Sequence, residues 1–140
     1  MSEIRDHRDL EAWQVAMEAV EATYKLSADF PKTETYGLTA QMRRAAVSVP
    51  SNIAEGQARK ERAAVYHIGV ALGSFAELDT QLELAIGLTY VTRESAADLQ
   101  ELIDSGRRLL HGLRRAKLKH LAVSVARPAI LVLLAIRLLM

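Results

Sequence analysis

The 140-residue sequence contains no cysteine. That excludes a disulfide framework, a thiolate nucleophile and any zinc or iron–sulfur centre held by cysteine. Three prolines and seven glycines are too few for a collagen-like or low-complexity chain. The opening stretch, MSEIRDHRDLEAW, is charged and lacks the apolar run of a secretory signal, so a reducing, cytoplasmic setting is expected. Acidic residues are also missing from one region, because none follows Asp104.

What is present describes one globular domain. Half of the residues are apolar and a quarter are charged, enough to bury a core and too apolar for a disordered tail. Residues 1–104 carry 10 Lys/Arg against 17 Asp/Glu, whereas residues 105–140 carry 8 Lys/Arg and no acid. The basic end suits an anionic partner, either nucleic acid or a membrane surface. It equally suits acidic faces of its own bundle or of a neighbouring copy.

Helical periodicity dominates. Leu10, Trp13, Met17, Val20 and Tyr24 recur every three or four residues, which predicts a helix with Asp9 as its N-cap. Pro31 ends it, and PKTETYG reads as a loop. Leu38, Met42, Ala45, Val49 and Ile53 predict a second helix, broken or kinked at Pro50 because proline removes a backbone donor. Asn52 and Glu55 have the spacing to restart it as a capping box, and Gly56 to end it. A third helix runs from Glu61 to about Leu88, with Gly69 and Gly73 expected to admit a neighbouring helix. Thr92 or Ser95 can cap a fourth, whose stripe includes Leu99, Leu102, Ile103, Leu109, Leu110 and Leu113. No strand pattern competes. The expected architecture is all-α, an antiparallel up-down four-helix bundle over residues 1–120. Residues 121–140 form an apolar extension expected to pack on the bundle or on a neighbouring subunit. Its uninterrupted apolar run, Pro128 to Ile136, falls short of the ~20 residues of a membrane span, so a membrane role is not expected.

No motif points to catalysis. A di-iron bundle needs Glu-x-x-His pairs, and none of the four histidines has Glu three residues before it. His67 reads as a surface or boundary residue. Walker, G-x-G-x-x-G and G-x-S-x-G patterns are missing, and no cofactor or metal is expected. Glu77, Asp79 and Glu83 read as solvated or ion-paired residues. Three basic groups remain: Arg43 and Arg44; Arg59, Lys60 and Arg62; and Arg107, Arg108, Arg114, Arg115, Lys117 and Lys119. The last group forms a strip about three turns long, suited to phosphates. It has no interleaved aromatics on which single-stranded bases could stack.

Three stretches, DLEAWQVAM, FPKTETYGLTAQMRRAAVSVPSNIAEGQAR and ALGSFAELDTQLELA, together resemble the four-helix-bundle family named after 23S rRNA intervening-sequence proteins. The likeness extends over about residues 8–115, and RRAAVSVPSNIAEG is its most specific part. It implies a bacterial, cytoplasmic protein without enzymatic activity. It also implies a likeness to the accessory variability protein of diversity-generating retroelements, a pentamer that assists a reverse transcriptase and binds nucleic acid. The expected function is therefore a homo-oligomer, with five copies as the implied number, that binds structured RNA in preference to DNA. The alternative is a protein–protein adaptor. Within the motif, Pro50, Ser51, Asn52, Glu55 and Glu77 are expected to form a polar knot that fixes helix register, with Glu55 and Glu77 as partners for Arg43 or Arg44. The apolar end beyond Lys117 departs from the family pattern.

Overall fold

A computed structural model describes residues 4–139. Four helices account for nearly all of it: α1 (Glu11–Ser27), α2 (Leu38–Gln57), α3 (Glu61–Gly87) and α4 (Arg93–Leu139). Single turns of 3-10 helix, His7–Asp9 and Lys32–Glu34, precede α1 and α2. Each helix packs on its two neighbours around a ring, in the order α1, α2, α3, α4 and back to α1. Side-chain pairs give the sense of two of these contacts. Ser48 meets Ser74 while Asn52 meets His67, and Gln100 meets Asp79 while Arg93 meets Glu83. Both pairs of helices therefore run antiparallel.

The buried stripe of α1 differs from the expected one. Ala12, Ala16, Ala19, Thr23 and Ser27 face the core, together with Leu10 just before the helix. Trp13, Met17 and Val20 are only half-buried and line a groove against Val47, Pro50 and Ala54, and Tyr24 is exposed. Periodicity identifies the helix but favours the larger of two adjacent stripes. Small residues occupy the inner one because they let α1 lie close to α2 and α4. Asp9 does not cap α1 either. Its carboxylate accepts the Arg5 and Asp6 N–H groups and closes the turn before the helix.

α2 runs through Pro50 as one helix, so of the break or kink expected there the break does not occur. Proline in a helix interior costs about 3 kcal/mol, so packing must offset it. Pro50 is buried in the contact with α1. Asn52 does not restart the helix; its Nδ2 donates to the Ser48 carbonyl at 2.9 Å. Ser51 Oγ donates to the Val47 carbonyl at 2.8 Å. Gly56 lies inside the last turn, where an added Cβ would stand 3.2 Å from His67 Cβ and 3.4 Å from the Ala64 carbonyl. Its role is to let α2 approach α3.

Gly69 and Gly73 have open space around them rather than a helix. Gly106 is the glycine that packing requires, because a Cβ there would stand 2.5 Å from Phe75 Cζ in the centre of the core. Thr92 caps α4 as expected. Thr92 Oγ1 accepts the Ser95 N–H and Ser95 Oγ accepts the Thr92 N–H, each at 3.1 Å. α4 passes through Pro128 and extends to Leu139, 47 residues or about 70 Å. Its buried residues end at Leu110, and residues 122–138 are all exposed. The extension thus does not pack on its own bundle.

These glycine environments predict opposite outcomes. Gly106→Ala should lower stability by roughly 1–3 kcal/mol, since Phe75 has no free space into which to move. Gly73→Ala should raise it by up to about 1 kcal/mol, as expected for an open helix position. Urea unfolding of the two variants measures both, and a neutral Gly106→Ala would contradict the packing described.

Candidate nucleic-acid interface

Ten of the eleven basic residues singled out by sequence divide into two classes once their surroundings are known, and Arg62 joins the second. Four are already engaged. Arg43 turns back onto α1, where Nε donates to Ser27 Oγ at 2.9 Å and the guanidinium lies 4.5 Å from the centre of the Tyr24 ring. Arg59 Nε donates to Glu55 Oε1 at 2.9 Å, one turn away on the same face. This hydrogen bond holds the Glu55 carboxyl below its ordinary pKa. Arg107 meets Asp79 and Arg108 meets Glu101, each at 3.4 Å.

The other six, Arg44, Lys60, Arg114, Arg115, Lys117 and Lys119, have no ion-pair partner among the described residues. The same holds for Arg62, on the first turn of α3. Arg44 stands apart, in a groove between α2 and α3 lined by Gln41, Ser48, Ser74, Glu77 and Gln81. The remaining cations come together through helix register. Gly106 of α4 lies against Phe75 of α3, and His120 of α4 contacts Glu61 at the start of α3. The two helices hold that register for four turns. It places Arg114, Arg115, Lys117 and Lys119 beside Lys60 and Arg62 at the end of the bundle where α4 leaves it. All are exposed except Lys117, which is half-buried, and Arg62 on α3 is likewise open to solvent. The opposite end carries Asp29, Glu34, Glu83, Glu94 and Asp98. Glu83 there pairs with Arg93 at 2.9 Å, which depresses its pKa.

The polar knot expected around Pro50 is arranged differently. Glu55 pairs with Arg59 rather than with Arg43 or Arg44, because one turn of helix brings Arg59 within reach. Glu77 makes no ion pair among the described residues. In their place a polar seam crosses from α2 to α3. Ser74 Oγ donates to Ser48 Oγ at 2.9 Å, Asn52 Nδ2 reaches the same oxygen at 3.1 Å, and Asn52 Oδ1 stands 3.0 Å from His67 Nδ1. Sequence alone does not mark His67 and Ser74 as partners of the motif. They stand two turns apart opposite a pair only one turn apart, so spacing gives no signal and the pairing is seen only in the structure.

The family model for 23S rRNA-intervening sequence protein matches residues 8–112. The chain belongs to that family. A solved structure, a protein of unknown function from the S23 ribosomal protein family of Bacteroides thetaiotaomicron VPI-5482, is similar at 23 % identity with a TM-score of 0.67. The alignment covers 74 % of this chain and 95 % of that one, and at this identity it establishes the shared four-helix fold. No curated protein matches the chain. The family match stops within α4, so Arg114, Arg115, Lys117, Lys119 and the apolar extension lie beyond the part of this intervening-sequence protein that the family describes.

The seam makes its own prediction. Asn52→Ala removes the bond to Ser48 and leaves His67 without its half-buried partner, so stability should fall by roughly 1–3 kcal/mol. The urea midpoint reports this directly, and an unchanged midpoint would show that the seam does not hold the helices in register.

Proposed function

We propose that this member of the family is a non-catalytic, self-associating protein that binds structured RNA through the cationic end of its bundle. One observation carries the reading: Lys60, Arg62, Arg114, Arg115, Lys117 and Lys119 converge on one end, and no described acid pairs with them. Unpaired cations on rigid helices exchange only water and counterions when they meet a phosphate, and counterion release drives such binding. Arg107 and Arg108 must give up Asp79 and Glu101 first, so they contribute less. The patch lacks aromatic platforms, which favours recognition of a folded backbone over stacking on unpaired bases. Self-association, to five copies by the resemblance described above, would repeat the patch and raise avidity by about 10² or more. The cytoplasm is where such RNA is found.

A protein–protein adaptor is the second reading, and the α1–α2 groove favours it. Trp13, Met17, Val20, Val47, Pro50 and Ala54 line an apolar hollow of about 270 Å³, able to take a side chain of another copy or of a partner such as a reverse transcriptase.

Fluorescence anisotropy with a structured RNA hairpin and a matched DNA duplex, across ~50–300 mM salt, separates the two readings. The proposal expects steep salt dependence and tighter binding to the hairpin. Replacing Lys60, Arg62, Arg114, Arg115, Lys117 and Lys119 with Gln should lower the slope of log K against log salt by about one for each phosphate no longer neutralised. Arg107→Gln with Arg108→Gln should change it less. An unaltered slope in the six-residue variant would remove the cationic end from the interface, and no binding at low salt would favour the adaptor.

A further inference from the structure

The apolar part of α4 has no counterpart in the family match and no role in the reading above. Residues 122–138 are exposed throughout, with Leu131 and Leu133 each at 66 % and Leu138 at 87 % of their full accessibility. α4 is long and apolar enough to cross a bilayer, and none of its most apolar window is buried, so that part of the helix, unlike Ala96 to Leu110, does not belong to the core of the bundle. Ile130 to Leu134 are five consecutive large apolar residues. At about 100° per residue they occupy the whole circumference of the helix. A second protein helix covers one stripe and leaves the remainder in water, whereas hydrocarbon covers every side.

Length and charge point the same way. Residues 121–139 form a continuous helix of about 28 Å, against a hydrocarbon core of about 30 Å. Arg127 lies about 9 Å along the axis from Leu121, and Arg137 about 3 Å from the far end. Each charge can therefore snorkel to the nearer headgroup layer. Arg114, Arg115, Lys117 and Lys119 immediately precede the apolar segment, with Lys60 and Arg62 beside them. A basic collar flanking an apolar helix marks the cytoplasmic side and attracts anionic lipid.

We propose that residues 121–139 insert into a bilayer containing anionic lipid, with the cationic end of the bundle seated on its cytosolic headgroups. The uninterrupted run Pro128–Ile136 is too short to span by itself, which is why the sequence points away from a membrane. The structure joins that run to Leu121–Arg127 in one unpartnered helix.

The test is flotation of the full-length protein with vesicles of phosphatidylcholine alone or with about 30 % phosphatidylserine. The protein should float with the anionic vesicles and resist a carbonate wash. The double variant Leu131→Glu, Leu134→Glu should remain at the bottom of the gradient while keeping the helical content, unfolding midpoint and RNA affinity of the parent. Gln at Arg114, Arg115, Lys117 and Lys119 should reduce the preference for anionic vesicles roughly tenfold. Two results would overturn the proposal. One is flotation that carbonate or high salt abolishes, which would assign the contact to surface charge alone. The other is absence of flotation together with a defined oligomer that the double Glu variant dissociates, which would assign the helix to another copy. Loss of flotation with RNA binding retained, or the reverse, keeps this inference separate from the proposed function.

Discussion

The close approach of α2 to α3 is the constraint on which the rest of the structure depends. It requires Gly56, where any side chain would press on Ala64 and His67. It also requires small polar residues, since Ser48 and Ser74 bond directly across the interface. A half-buried polar group without a partner costs more than a made bond gains, so the seam from Ser48 through Asn52 to His67 favours one register over its neighbours. That register directs the α2–α3 turn toward α4 and brings Lys60 and Arg62 beside the last basic turns of that helix. Pro50 belongs to the other contact of α2, the one with α1. Its ring fills the contact with α1, and tertiary burial keeps a helix intact that local preference would interrupt.

Ion pairing then decides which cations are available. Exposed pairs such as Arg108 with Glu101 or Arg59 with Glu55 contribute little to stability. Their effect is local: a guanidinium already beside a carboxylate has less net charge to offer a phosphate. Asp29, Glu34, Glu94 and Asp98 lie at the far end, while Glu55 and Glu61 at the near end are taken up by Arg59 and His120, so the uncompensated positive charge collects where α4 emerges. The charge asymmetry of the sequence thus becomes an asymmetry between the two ends of the fold.

Much of the fold is legible in the sequence. The four helices, the loop after Pro31 and the Thr92–Ser95 cap follow from periodicity and punctuation, because those signals are local. The differences arise where a neighbouring element decides the outcome. Trp13 and Met17 outweigh Ala12 and Ala16 in any hydrophobicity pattern, yet the alanines are inside because helix spacing is set by the partner. Gly69 and Gly73 look like a packing site and face open space, while Gly106 is the glycine that the core demands. The site is legible as composition only. Sequence does not separate Arg43, captured by Ser27 and Tyr24, from Arg44, or Arg107 from Arg114, since pairing depends on side chains from other helices.

Lysine modification in the presence and absence of a saturating structured RNA tests the central assignment most directly. Lys60, Lys117 and Lys119 lie at the cationic end, whereas Lys25 and Lys32 lie at the opposite end of the same bundle and serve as internal controls. The account predicts that RNA shields the first three from acetylation and leaves Lys25 and Lys32 unchanged. Protection of Lys25 and Lys32 with continued reactivity of Lys60, Lys117 and Lys119 would contradict it.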